Sequence, residues 1–94
     1  MTTMQHLVAE YIACKQIQSR LSVMETDFEF KHKDAAAAAK YNPDNDVLER
    51  EAEMWRIVYS MVHRELDSLS MTMQSLSKRM QAIQNQEGAE QDGK

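Results

Sequence analysis

"DVLEREAEMWRIVYSMVHRELDSLSMTMQSLSKRMQAI", residues 46–83, decides the fold. Its apolar residues fall at Leu48, Ala52, Trp55, Tyr59, Val62, Leu66, Leu69, Met73, Leu76, Met80 and Ile83, alternating steps of four and three without a miss. That alternation is the a/d stripe of a coiled-coil helix, which keeps one seam turned toward a partner over its whole length. Asp44, Asn45 or Asp46 can cap the start, and Glu49 and Glu51 suit the positive end of the helix dipole. The expected helix runs from about residue 46 to about 85.

Upstream, a shorter stripe passes through Met4, Leu7, Tyr11, Cys14, Ile17, Leu21, Met24 and Phe28. Thr2 or Thr3 can act as its N-cap. Five consecutive alanines, Ala35 to Ala39, then supply helix propensity with little apolar area. This helix is expected over about 3–40. It stops at "YNPDND", where Pro43 turns Asn42 away from the α region and the Asn/Asp cluster favours a turn over 41–45.

Two long helices joined by a short turn make an all-α, antiparallel two-helix hairpin of coiled-coil type. Facing residue numbers then sum to about 87, which sets Phe28 against Tyr59, Leu21 against Leu66, Cys14 against Met73 and His32 near Trp55. A parallel dimer of extended helices is the alternative that heptads also permit. Residues 87–94, "EGAEQDGK", close the chain as an expected disordered polar tail.

The composition narrows the function. The chain has 94 residues with 43% hydrophobic and 28% charged side chains, a balance suited to folding rather than disorder. Net charge is −4, and basic residues form no dense patch, so no nucleic-acid partner is expected. No apolar run approaches the roughly 18 residues of a membrane span, so no membrane insertion is expected, and the single cysteine, Cys14, fits a reducing, cytoplasmic setting.

Chemistry-bearing motifs are missing from the pattern. His6, His32 and His63 stand at no metal-ligand spacing, and there is no C-x-x-C or glycine-rich phosphate loop. No catalytic, cofactor or metal residues are assigned, and the chain is read as no enzyme. His63, between Val62 and Arg64, is expected on a solvated helix edge. Cys14 is expected as a small core hydrophobe. Met71 and Met73 form an M-x-M pair, a weak signal for soft metals; the eight methionines suit adaptable packing, in a core or on a docking surface.

One surface does stand out. In "MWRIVYSMV", residues 54–62, Trp55, Tyr59 and Val62 belong to the seam, whereas Met54, Ile57, Val58 and Met61, with Val47, form a second arc beside it. At 100° per residue the combined apolar arc is roughly 220°, about twice what one neighbouring helix covers. Leaving four such side chains in water forgoes roughly 1.5–3 kcal/mol each. The expected partner-binding set is therefore Val47, Met54, Trp55, Ile57, Val58 and Met61. Its occupant is a helical protein partner or another copy of the chain, in a homo- or hetero-oligomer.

The stretch "MTTMQHLVAEYIACKQIQSRL", the turn around "NPDND" and the apolar "LEREAEMWRIVYSMVHREL" together resemble the small helical-hairpin co-chaperones of type III secretion needle subunits. The resemblance spans residues 1–67 and rests on pattern and length. It implies a cytoplasmic hairpin that, with a second chaperone, keeps a secretion subunit monomeric, using its second helix for partner contacts. Two other roles fit the same residues. One is a homo-oligomeric coiled-coil structural subunit or spacer; the other is a small acidic inhibitor docking on another protein.

Overall fold

The computed structural model describes the backbone of residues 2–92 and the side chains of residues 2–87. Two helices occur, α1 (Thr3–Tyr41) and α2 (Asp46–Asp92), and no strand is present among the described residues. The chain is an all-α helical hairpin.

The ends of the helices follow from local hydrogen bonding. Thr2 and Gln5 form a reciprocal capping box: the Gln5 N–H donates to Thr2 Oγ1 at 3.1 Å, and the Thr2 N–H donates to Gln5 Oε1 at 2.9 Å. At the other end of α1, the Asn42 side chain donates to the Ala38 carbonyl at 2.9 Å and the Asn42 N–H to the Ala39 carbonyl at 3.2 Å, satisfying acceptors that the helix leaves open. A bond from the Asn45 N–H to the Asn42 carbonyl at 3.0 Å closes the turn around Pro43 and Asp44. Of the three capping residues the sequence offers, Asn45 takes the role. Its Oδ1 accepts from the Val47 and Leu48 N–H groups at 3.1 and 3.3 Å.

α2 does not stop near residue 85. Its backbone continues helical to Asp92, so residues 87–92 of the expected disordered tail belong to the helix, while Gly93 and Lys94 lie outside the described residues. Propagating a helix fixes one residue per hydrogen bond gained, and the Gln, Glu and Ala around Gly88 are good helix formers. One glycine costs about 1 kcal/mol relative to alanine, too little to end the helix by itself.

The chain divides into two compact units. One contains the described residues up to Gln18 and those from Ser68 onward. Here Leu7, Met73 and Leu76 are buried, and Met4, Tyr11, Cys14, Leu69, Met80 and Ile83 are half-buried around them. Gln18, not Ile17, takes the seam position of α1. Ile17 is 48% exposed, because strict three-four alternation after Cys14 reaches residue 18.

The other unit, Ser19–Asp67, holds the turn and the paired segments leading to it. Val62 is its one buried apolar side chain; Leu21, Phe28, Leu48, Ala52, Trp55, Tyr59 and Leu66 are half-buried. On α1 the seam passes through Glu25 instead of Met24, which is 42% exposed. The Phe28 ring packs on Trp55, with centroids 5.7 Å apart, one turn from the expected partner Tyr59. Lys31, rather than His32, lies over Trp55, with Nζ 4.9 Å from the ring centroid.

Candidate protein-docking face

The site is built on the turn-proximal half of α2, in the Ser19–Asp67 unit. With Leu48, Ala52, Trp55, Tyr59 and Val62 turned toward α1, a heptad register places Val47, Met54 and Met61 on one line of the opposite side and Ile57 on the next. All four are exposed: Val47 by 69%, Met54 by 47%, Ile57 by 46% and Met61 by 60%. Val58 is half-buried at the margin of this face. A shallow open depression runs along the helix here, lined by Arg50, Glu53, Met54, Ile57 and Val58.

Trp55 does not share this face. Its ring belongs to the contact between the helices, against Phe28 and beneath the Lys31 ammonium, which is itself held by Asp27 at 3.1 Å. The six expected binding residues therefore separate into four that face outward, one at the margin and one committed to the hairpin.

α1 adds a residue that periodicity alone assigns to the core. Lys31 and Glu51 line one groove of the hairpin, with Ala38, Leu48 and Trp55. Met24 precedes Lys31 by one heptad and Val58 follows Glu51 by one, so the half-exposed Met24 extends the apolar surface on the Val58 side. Val23 and Phe30, seven residues apart on α1, are also exposed, opposite its seam. Their seven-residue spacing is the signal that marks them in the sequence.

The charges at the margin are organised. Arg56 binds Glu53 through Nε–H to Oε2 at 2.9 Å, which pulls the Glu53 carboxyl below its ordinary pKa and raises that of Arg56. His63 is exposed on the helix edge, as expected, and is also paired. Nδ1 lies 2.8 Å from Glu25 Oε2 across the hairpin, the ring stacks on Tyr59 at 6.1 Å, and Nε2 is 3.7 Å from Asp67. The bond to Glu25 first, and the charge of Asp67 second, raise the His63 pKa above its ordinary 6.5.

Among the described residues no group of three His, Cys, Asp or Glu side chains is placed to hold a metal ion. No described helix is long and apolar enough to cross a membrane. The Cys14 thiol is free and half-buried on the α1 seam. What the fold offers on α2 is an uncovered apolar strip whose Met side chains can adapt to a partner. Covering the exposed half of each side chain gains about 1 kcal/mol per residue. No protein family, curated protein or solved structure matches the chain.

Proposed function

We propose that this chain is a non-enzymatic, protein-binding hairpin, a co-chaperone or assembly factor that covers an apolar helix of a partner. The observation that carries the reading is the outward set Val47, Met54, Ile57 and Met61, exposed on a helix whose own seam is already occupied. Uncovered apolar strips of this kind mark binding sites more often than they serve folding. The resemblance to type III secretion needle-subunit co-chaperones supports the same role, a cytoplasmic setting and the same helix as the contact. Ile57→Asp tests it: the variant keeps its helical circular dichroism and loses the partner in a pull-down from native cells. An unchanged interaction rejects the assignment.

A second reading, a homo-oligomeric coiled-coil spacer, draws on Val23 and Phe30, which give α1 an apolar line of its own. Sedimentation of the purified chain separates the two. A stable dimer or tetramer supports the spacer, and a monomer supports the co-chaperone.

A further inference from the structure

α1 carries two seams that it can present to α2, one residue apart. In the Ser19–Asp67 unit the seam in use runs through Leu21, Glu25, Phe28, His32, Ala35 and Ala39, every one half-buried. A second line, Leu21, Met24, Phe28, Lys31, Ala35 and Ala38, keeps the same steps of three and four. The two lines share Leu21, Phe28 and Ala35. They differ in whether Glu25 or Met24, and His32 or Lys31, turns inward, and a roll of α1 by one heptad position, about 50°, exchanges them.

By burial alone the second seam is the better one, because it replaces the carboxylate of Glu25 with the thioether of Met24. Met24 is nevertheless 42% exposed, and the Glu25 side chain only 27%. The groove on the Met24 flank, lined in part by Lys31, Ala38, Glu51 and Trp55, is open and leaves room for the roll. The Lys31 ammonium already lies over Trp55, so an inward turn lets its stem rest on the ring.

What holds Glu25 inward is His63, whose Nδ1 meets Glu25 Oε2 at 2.8 Å. The groups facing the imidazole are Glu25 from α1 and Tyr59 and Asp67 from α2. Glu29, one turn beyond Glu25, is engaged by Lys33 at 3.0 Å. Protonated, the ring sets a positive charge against the inward carboxylate; neutral, it leaves that carboxylate without the imidazolium.

We infer that α1 is a two-position switch in this unit: the imidazolium of His63 holds Glu25 in the seam, and loss of its proton lets α1 roll, so that Met24 takes the seam and Glu25 turns to solvent. The exchange also withdraws Met24 from the surface beside Val58. It does not depend on the docking role proposed above.

Brief peroxide oxidation of the full chain, mapped by mass spectrometry, reads the position of Met24, with exposed Met71 and buried Met73 as references. The bond to Glu25 and the charge of Asp67 place the proton loss above 6.5, so samples are taken at about pH 5.5 and about pH 9. Relative to Met71, Met24 is expected to oxidise about threefold more slowly at the higher pH, with Met73 protected at both. Glu25→Leu, which makes the seam in use apolar, keeps Met24 reactive at both pH values, and His63→Ala makes it slow at both. Circular dichroism verifies that each variant is helical. A Met24 rate that ignores pH overturns the switch, as does a Glu25→Leu chain that follows the wild type. Faster oxidation of Met24 and Met73 together at the higher pH also overturns it, because the hairpin then opens instead of rolling.

Discussion

His63 Nδ1 and Glu25 Oε2 meet at 2.8 Å, joining the two helices through a polar pair at a position where α1 has no apolar side chain to offer. Glu25 takes the seam position on α1, and His63 flanks the α2 seam beside Val62. The pair therefore marks the register of the turn-proximal unit. Asp67 and Tyr59 are the other groups facing the imidazole.

Because the pair raises the pKa of His63 in the folded chain, it adds stability that is fully present below the unfolded value of 6.5 and is lost as pH rises through the higher, folded value. The unfolding midpoint in urea is expected to fall as pH rises from 6.5 through the higher folded value, and His63→Ala is expected to flatten that part of the profile. A wild-type profile identical to that of the variant rejects the contact.

Asn45 starts α2 by accepting from two backbone N–H groups. Asn45→Ala is expected to cost about 1 kcal/mol of stability, read as a lower urea midpoint at unchanged slope. Asp44→Ala is expected to leave the midpoint in place, since the cap is Asn45.

Trp55 and Ile57 are expected to respond in opposite ways. Trp55→Ala removes the partner of Phe28 and the ring beneath Lys31, with a cost of about 2 kcal/mol, less than a fully buried aromatic because Trp55 is half-buried. Ile57→Ala, on the outer face, changes stability by less than about 0.5 kcal/mol. Thermal unfolding of the two variants side by side measures the difference.

In the unit that holds the open ends of the hairpin, Gln18 sits half-buried on the seam, lining a groove with Tyr11 and Met73. Gln18→Leu is expected to stabilise by about 0.5–1 kcal/mol through added apolar burial. Ile17→Gln, on the exposed flank, is expected to be nearly neutral. Equal effects at the two positions contradict the observed register.

The contrast between these neighbours explains what could be read from the amino-acid sequence. α2 was legible along its seam because every position from Leu48 to Ile83 in the three-four pattern is apolar, so one helix declares its own register. α1 was legible as a helix but not in its register. Its seam passes through Gln18 and Glu25 while the apolar Ile17 and Met24 stand one residue before them, and a polar seam residue makes sense only once its cross-helix partner, His63, is known. The shift of the Phe28 contact to Trp55 has the same origin, since ring packing depends on the stagger between the helices. The outward set on α2 was legible because it follows from the α2 register alone. The extension of α2 to Asp92 is not marked in the sequence, because a polar composition suits an exposed helix and a disordered tail alike.

On the proposed docking role, Met54 and Met61 stand in water on the isolated chain and beneath a partner in the cell. Peroxide oxidation, mapped by mass spectrometry on the purified chain and on the chain in its native lysate, measures this directly, with buried Met73 as the internal reference. Met54 and Met61 are expected to oxidise faster than Met73 in the dilute purified chain and to be protected in the lysate. Protection already present in the purified chain, or equal oxidation in both settings, contradicts it.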